Sequence, residues 1–322
     1  MRNKKSLRFY LLAVPAYILQ IPLILYKGIL DVFGYYIPYL TAMLRRPKEP
    51  KGPALDLGKF ELTWSDEFEG DTLDLGKWSN WSERGGRPDD ANERAQKRHD
   101  GWSCLDMARV EDGRLHISSV NSETGMAGGP PGSYAAAINT RHTFRQKYGY
   151  FEARCKCPKG LGLWSAFWLH NENVTQAIDG TGRPGTEIDV YESVFWRSRN
   201  PLRKNSIISS LHYGSYGLFH MMKNVGRYRV EEPYDTFHSY GVEWNETGYT
   251  FYIDGVASGR TKAGGVSRNA QYLILSVEHH AGGIKSLGWA GDIRKNRPED
   301  FADFEVEYVR AYQYKELQYL AS

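Results

Sequence analysis

Three acidic residues in one short segment carry the strongest chemical signal of the sequence. Glu187, Asp189 and Glu192 lie in the run 185–193, among residues that favour β-strands. In a regular strand, Glu187 and Asp189 point to one face, whereas Glu192 points to the other. One extra residue in a β-bulge corrects this difference, and bulges are common beside active sites. We therefore predict a bulged strand that presents all three carboxylates to one cleft.

Two crowded carboxylates can hydrolyse a glycosidic bond. One attacks the anomeric carbon, while the other holds a proton near neutral pH because like charges crowd it. If the two carboxyl groups lie about 5–5.5 Å apart, a covalent glycosyl-enzyme forms and the anomeric configuration is retained. The same acids could instead form a solvated face of an edge strand, or bind calcium. The spacing alone leaves these three interpretations open.

The chain around these acids is typical of an all-β domain. From Phe60 onward, short alternating segments are separated by Gly, Pro, Asn and Asp, which predicts many short strands. Asp254 and Gly255 stand between two such segments and predict a tight hairpin. No long helical periodicity and no repeat of fixed period occur in this region. We predict one domain over residues 59–316 and a tail at 317–322.

The composition limits the classes of protein to which the chain can belong. Its 322 residues carry a formal net charge of +3, and 14% of them are aromatic. Disordered chains have few aromatic residues, and nucleic-acid-binding domains usually carry a large basic surplus. The three cysteines (Cys104, Cys155 and Cys157) are too few for a disulfide framework or an all-cysteine zinc site. We expect a folded monomer with no nucleic-acid partner.

The first 45 residues form a separate hydrophobic segment. Four basic residues precede an uncharged run of 18 residues over 9–26, and a second apolar stretch covers 32–44. This length is the lower limit for a membrane span, and the basic residues favour an N-inside orientation. We expect residues 1–45 to anchor the protein in a membrane, with the domain outside the cytoplasm. A cleaved signal peptide and an interfacial hairpin on the cytoplasmic face are the alternatives. Residues 46–58 contain three prolines and predict a linker.

Several segments resemble glycoside hydrolase family 16, the β-glucanase and galactanase group. The E-x-D-x-x-E strand of that family is matched by Glu187, Asp189 and Glu192. The other matching blocks occur in the family's order at 62–68, 73–78, 148–154, 162–169, 237–244, 251–255 and 308–313. The resemblance covers residues 60–314, with Ser165 where the family usually has proline.

This resemblance implies a curved sandwich of two antiparallel β-sheets, a concanavalin-like jelly roll, with a substrate cleft on its concave face. It implies Glu187 as the nucleophile, Glu192 as the general acid/base and Asp189 as the partner that tunes them. We therefore expect an endo-acting, retaining β-glycan hydrolase whose substrate is a β-1,3- or mixed-linkage glucan. The alternatives are hydrolysis of a galactan or exopolysaccharide, transglycosylation, and binding of carbohydrate without catalysis, as in a lectin.

Five further side chains are expected to contact the polysaccharide. Trp164 and Trp168 precede the acidic strand and Trp244 lies on a later one, and indole rings suit the apolar faces of sugars. His212 matches a histidine that the family has on the neighbouring strand. Glu278 alternates with apolar residues at a position where the family usually has a neutral residue. Core packing or simple solvent exposure is the alternative for each of the five.

No cofactor and no catalytic metal are expected. His279 and His280 are adjacent, so their side chains point to opposite faces of a strand and cannot share a metal ion. The family often holds a structural calcium ion on its convex side. Only Glu307 matches the acid that the family usually has in the last strand, so calcium binding stays open.

Overall fold

The computed structural model describes residues 46–81, 92–176, 180–194, 196, 205–216, 219–282 and 290–315, with a few isolated positions between 25 and 37. These residues contain 19 β-strands. Their bounds are β1 Phe60–Asp66, β2 Ser79–Asn80, β3 Gln96–Arg98, β4 Gly101–Ser103, β5 Ala108–Glu111, β6 Arg114–Ile117, β7 Val120–Ser122, β8 Gly132–Ala135, β9 Ala137–Asn139, β10 Gly149–Lys156, β11 Leu163–His170, β12 Glu187–Ser193, β13 Ser206–Tyr213, β14 Met221–Arg229, β15 His238–Asn245, β16 Gly248–Ile253, β17 Val256–Thr261, β18 Tyr272–His279 and β19 Phe304–Tyr314. Short 3₁₀ helices occur at Leu57–Lys59, Leu105–Met107, Glu172–Gln176, Ile293–Lys295 and Pro298–Asp300.

Two large antiparallel sheets form a sandwich. The eight-stranded sheet has the order β17-β16-β15-β10-β19-β6-β5, with β1 also paired to β19. The seven-stranded sheet has the order β14-β13-β12-β11-β18-β9-β2. A smaller sheet, β3-β4-β8-β7, contains the parallel pair β4–β8. The prediction of an all-β sandwich of antiparallel sheets is therefore confirmed.

Alternation of residues places the core between the two large sheets. Phe167 and Leu169 of β11 are buried against a cluster that includes Phe151 and Ala153 of β10. Burial of each large apolar side chain contributes about 1.5–3 kcal/mol, so these residues fix which face of each strand points inward. The residues between them on β11 and its neighbours point to the opposite, open face of the seven-stranded sheet.

A bulge changes the register of β12 inside the acidic segment. Asp189 pairs with Ser210 on β13, whereas Glu192 pairs with Ile208, so three steps along β12 match two along β13. The extra residue reverses the direction of the side chains that follow it. The predicted bulge is confirmed, and Glu192 joins Glu187 and Asp189 on the open face of the sheet.

The predicted hairpin at Asp254 and Gly255 is also confirmed. These two residues connect β16 to β17 and have φ angles of 49° and 73°. Consecutive left-handed residues are typical of the two-residue turn whose twist matches the flanking strands, and glycine adopts this conformation without steric cost.

The segment 46–58, predicted as a linker, is docked onto the edges of both sheets. The N–H of Lys48 donates to the carbonyl of Arg227 on β14, the edge strand of the seven-stranded sheet, at 2.8 Å. The N–H of Gly52 donates to the carbonyl of Ala257 on β17, the edge strand of the eight-stranded sheet, at 2.8 Å. The segment thus covers two open edges and is not a free tether.

The predicted membrane anchor at residues 1–45 and the tail at 317–322 lie almost wholly outside the described residues. Within the described parts of the chain, no helix combines the length and the apolar composition that a membrane span requires.

Candidate active site

Strand β12 places the three predicted catalytic residues in a cleft of about 520 Å³, which residues of β11 and β18 also line. Strands β13, β12, β11 and β18 lie side by side in the seven-stranded sheet, and alternate residues on each point to its open face. Because of the bulge, Glu187, Asp189 and Glu192 all line this cleft. The three residues for which the sequence predicts catalysis are therefore neighbours in the structure.

Glu187 is the most accessible of the three acids. Its side chain is 18% exposed, compared with 7% for Asp189. Its Oε2 atom accepts a hydrogen bond from the hydroxyl of Tyr216, and its Oε1 atom lies 3.8 Å from Nε2 of His212. A carboxylate that lines the cleft with one oxygen held by a donor can present the other oxygen to a bound substrate.

Ser210 connects the other two acids. Its hydroxyl donates to Oδ2 of Asp189 at 2.5 Å and lies 3.2 Å from Oε2 of Glu192. Both carboxyl groups are buried, so this hydroxyl is one of few polar atoms that can satisfy them. Ser210 stands two residues before His212 on β13 and shares its face. His212 is indicated by the family resemblance, and alternation along β13 from His212 could therefore have identified Ser210 from the sequence.

Burial and like charges raise the pKa of two of the acids. The pKa of Glu192 rises from 4.5 to about 8 because its carboxyl is buried and because Glu187 lies nearby. The pKa of Asp189 rises well above its ordinary value through burial and the charges of Glu192 and Glu187. Among the described residues, no Lys or Arg side chain forms an ion pair with any of the three. At neutral pH, Glu192 can therefore hold a proton and donate it.

His212 lies beside Asp189 and Glu187 on the neighbouring strand. Its Nε2 atom is 3.4 Å from Oδ2 of Asp189, and its Nδ1 atom is 2.9 Å from Nε2 of His220. Burial lowers the pKa of His212 to about 4, so its ring is neutral in the physiological range. His212 therefore adds no positive charge to the carboxylates.

Glu278 closes the opposite part of the cleft and is paired with arginine. Its Oε1 atom accepts from Nε and Nη2 of Arg98, each at 2.6 Å. Its Oε2 atom is buried without a hydrogen-bond partner among the described residues, and Nε2 of His99 lies 3.6 Å away. The guanidinium of Arg98 lies 4.1 Å from the ring centre of Trp81. Arg98 and His99 come from the small sheet and the turn after it, which strand alternation around Glu278 cannot reveal.

Two of the three predicted tryptophans line the cleft. Trp164 is half-buried, with its ring 5.2 Å from that of His99. Trp168 is buried in the cleft wall, where its indole N–H donates to Ser276 at 3.1 Å. The prediction that Trp244 contacts substrate is wrong. Trp244 is fully buried on β15 in the core between the sheets, because it points inward from the eight-stranded sheet.

The described residues contain one group of side chains that could hold a metal ion. Donor atoms of Glu187, Asp189 and His212 lie within 4.8 Å of one another. Hydroxyl groups already donate to both carboxylates, an arrangement that suits acid–base chemistry. Glu307, the acid that matches the last strand of the family, is paired with arginine in this structure, with Nε of Arg154 2.5 Å from its carboxylate.

Comparison with known proteins identifies relatives of the whole sandwich. Residues 60–314 match the model of the glycoside hydrolase family 16 domain of β-porphyranases A–D. A glucan endo-1,3-β-glucosidase A1 of Niallia circulans is 28% identical, over 82% of this chain and 39% of that protein. The endo-1,3-1,4-β-glycanase ExsH of Rhizobium meliloti is 27% identical, over 80% of this chain and 53% of that protein. The chain thus spans about half or less of the length of these curated relatives.

A solved structure supports the same fold. The crystal structure of a non-specific endo-β-1,3(4)-glucanase of family 16 superposes with a TM-score of 0.63 and is 25% identical. The match covers 84% of this chain and 98% of the glucanase chain. The architecture derived from the strands above is therefore shared with an enzyme of known structure.

Proposed function

Because the chain belongs to glycoside hydrolase family 16, we propose that it is an endo-acting, retaining β-glycan hydrolase. The proposed substrate is a β-1,3- or mixed-linkage glucan, since the curated relatives above are named as a glucan endo-1,3-β-glucosidase and an endo-1,3-1,4-β-glycanase. The observation that carries the proposal is the bulged strand β12. It presents an accessible carboxylate and a buried carboxyl that keeps its proton to about pH 8 on one side of one cleft.

In the first step, Glu187 attacks the anomeric carbon and Glu192 protonates the departing glycosidic oxygen. The bond between the anomeric carbon and that oxygen breaks while an ester bond to Glu187 forms. In the second step, Glu192 removes a proton from water, and the water oxygen displaces Glu187 from the anomeric carbon. Two displacements return the original anomeric configuration.

Burial, Glu187 and Ser210 set the protonation of Glu192. Asp189 lies between the two glutamates on β12, and Ser210 contacts both Asp189 and Glu192. The hydrogen bond from Ser210 lowers the pKa of Glu192, whereas burial and the charge of Glu187 raise it. The balance holds the proton of Glu192 in place until the leaving oxygen needs it.

The residues proposed to bind the substrate are Trp164, Trp168 and Glu278. Indole faces stack on the apolar faces of sugar rings, and Trp164 offers part of its ring to the cleft. The buried Oε2 atom of Glu278 has no hydrogen-bond partner among the described residues and can accept a sugar hydroxyl. Binding such a hydroxyl would satisfy an atom whose burial is otherwise costly.

A lectin-like role fits this site less well than hydrolysis. A protein that only binds sugar gains nothing from a buried carboxyl whose ionisation is opposed by burial and by a neighbouring carboxylate. Hydrolysis and transglycosylation use the same residues and differ in whether water or a sugar takes the glycosyl group. A galactan is the alternative substrate, since the matching family model is named for β-porphyranases.

The test is release of reducing ends by the full chain from laminarin, lichenan, agarose, carrageenan, porphyran and a bacterial exopolysaccharide. We expect one glycan to be cleaved, and Glu187→Gln to lose on the order of 10⁴-fold in activity, the scale seen when a nucleophile is removed. Glu307→Gln is the matched control, because it makes the same change on the opposite sheet. Full activity of Glu187→Gln, or glycan binding with no cleavage by the parent protein, would contradict the proposal.

Membrane attachment with the domain outside the cytoplasm is the second part of the proposal. It rests on the four basic residues and the apolar run that open the sequence. Fractionation of the producing cells and protease treatment of intact cells test it. Full-length protein in the membrane fraction that external protease degrades supports the proposal, whereas protein in the cytosolic fraction would overturn it.

A further inference from the structure

Tyr216 reaches the carboxylate of Glu187 from the connection between β13 and β14. Its hydroxyl donates to Oε2 of Glu187, while 45% of the residue is exposed to solvent. Gly214 and Ser215 precede it with φ angles of 76° and 74°. The left-handed region is unfavourable for serine, so the turn before Tyr216 is held by its surroundings.

A buried histidine holds the hydroxyl of Tyr216 in place. Nε2 of His170 lies 3.0 Å from the Tyr216 oxygen, and Nδ1 of His170 lies 2.9 Å from the hydroxyl of Tyr272. The rings of His170 and Tyr216 are stacked, with 9° between their planes. His170 on β11 and Tyr272 on β18 belong to the wall of the cleft, so the contact ties the connection to the rigid sheet.

The direction of each hydrogen bond follows from the carboxylate. An ionised Glu187 can only accept, so the hydroxyl proton of Tyr216 points to it. The oxygen of Tyr216 then accepts from Nε2–H of His170. Burial lowers the pKa of His170 to about 4, so the ring is neutral and its Nδ1 atom accepts from Tyr272. Tyr272, His170 and Tyr216 thus form a chain whose donors all point toward Glu187.

We propose that Tyr216, aligned by His170 and Tyr272, is a positioning residue for the nucleophile Glu187. It holds the Oε2 atom, so Oε1 is the oxygen that attacks the anomeric carbon. The Oε1–carbon bond forms as the glycosidic bond breaks, and the proton for the leaving oxygen comes from Glu192. No proton moves along the chain of Tyr216, His170 and Tyr272. This inference rests on the proposed function, since it assigns the attacking oxygen of that reaction.

Tyr216 is suited to remain a donor throughout the working pH range. Burial of its hydroxyl end, the charge of Glu187 and the hydrogen bond to it hold the pKa of Tyr216 well above its ordinary value of 10. The titratable groups around Glu187 and Tyr216 include Asp189, Glu192, His212, His170, Tyr272 and His220, whose ring lies 5.6 Å from that of Tyr216. His170 and His212 are neutral above about pH 4, and Tyr216 is the hydroxyl donor to Glu187.

The kinetic test is Tyr216→Phe, which keeps the ring and removes the hydroxyl. We expect kcat to fall on the order of 10- to 100-fold with KM changed about threefold or less, as for one lost hydrogen bond to a charged group. Tyr272→Phe should lower kcat in the same way but by less.

Tyr228→Phe is the matched control. It removes a hydroxyl from β14 that donates to the carbonyl of Val225, away from the cleft, and should leave kcat unchanged. Identical kcat in Tyr216→Phe and the parent protein would overturn the inference.

A second readout does not depend on turnover. In the full chain labelled with ¹³C at the tyrosine Cζ atoms, the Tyr216 signal is the one that Tyr216→Phe removes. In Glu187→Gln this signal should begin to titrate at lower pH, because the neighbouring charge and acceptor are lost. If no glycan is cleaved but the signal shifts, the proposed function fails and the contact stands. If the Tyr216 signal titrates at the same pH in Glu187→Gln and in the parent protein, the contact between Tyr216 and Glu187 is wrong.

Discussion

Both large sheets carry acids on their outward faces, but the partners of these acids differ. On the eight-stranded sheet, Glu307 lies 2.5 Å from Nε of Arg154, and Glu305 lies 2.6 Å from Nζ of Lys156. On the seven-stranded sheet, hydroxyl groups are the donors to the acids of β12.

The difference in partners produces a difference in protonation. Beside β1, a hydrogen bond from Arg310 lowers the pKa of Glu67, so that acid is ionised and stabilised. In the cleft, burial and Glu187 raise the pKa of Glu192 to about 8. Ion pairs between acids and cations on the surface contribute only modestly to the stability of the fold. Crowded acids without cations keep a proton at neutral pH, which is the requirement for acid catalysis.

The largest expected effect distinguishes the acid of the cleft from the acids of the opposite sheet. Glu192→Gln removes the proton donor and should lower kcat by about 10²–10⁴-fold, the usual contribution of general acid–base catalysis. Glu307→Gln breaks a surface pair with Arg154 and should leave activity within about twofold, because such pairs contribute about 1 kcal/mol or less. The measurement is kcat on the glycan that the parent protein cleaves. Similar losses in both variants would remove the distinction between the sheets.

Glu278 is an intermediate case, because it lies in the cleft but is paired with Arg98. Glu278→Gln should lower kcat/KM on the order of tenfold through a weakened bond to a sugar hydroxyl. It should also move the basic limb of the pH profile downward, since the charge of Glu278 helps to raise the pKa of Glu192. Glu305→Gln, which breaks an acid–cation pair on the other sheet, is the control. An unchanged basic limb would group Glu278 with the structural acids.

Ser210→Ala tests how a single hydroxyl group affects the pKa of a cleft acid. The Ser210 hydroxyl lowers the pKa of Glu192, so its loss should raise that pKa above about 8. The basic limb of the profile should then move up by about half a pH unit. Ser209→Ala is a suitable control, since Ser209 donates to the carbonyl of Val190 and faces the core. A basic limb that moves down in Ser210→Ala would show that another group titrates there.

The smallest expected effect is on stability, and it is expected for the cleft acid but not for the acid on the other sheet. The folded-state pKa of Glu192 lies above its ordinary value of 4.5, so the protein loses stability as pH rises from about 4.5 to about 8. Glu192→Gln cannot ionise, so it escapes this loss, and its Tm at pH 9 should exceed that of the parent. At pH 4 the two should melt together. Calorimetry should show no gain for Glu307→Gln, and a gain there would contradict the account.

Alternation was sufficient to predict much of the site. The period of two on β12, with one bulge, predicts the common face of Glu187, Asp189 and Glu192. Alternation failed for Trp244 because it does not say which sheet a strand joins. Glu243, its neighbour on β15, is half-buried and Trp244 is buried. Since adjacent residues of a strand point to opposite faces, Trp244 faces the core.

Contacts between distant segments could not be predicted from one sequence. Arg98 reaches Glu278 across 180 positions, and Tyr216 reaches Glu187 from a connection whose direction depends on two left-handed residues. Such pairs depend on how sheets and connections pack in three dimensions, and no local pattern encodes them. The docking of the segment 46–58 has the same origin, since its prolines predict only an extended chain.

The most direct test of the account follows the first product by proton NMR. The full chain is mixed with the glycan that it cleaves, and the anomeric signal of the new reducing end is recorded before mutarotation. Attack by Glu187 and then by water predicts that the β-anomer appears first and the α-anomer later. If the α-anomer appears first, water displaces the leaving group directly, and the role of Glu187 as nucleophile is wrong.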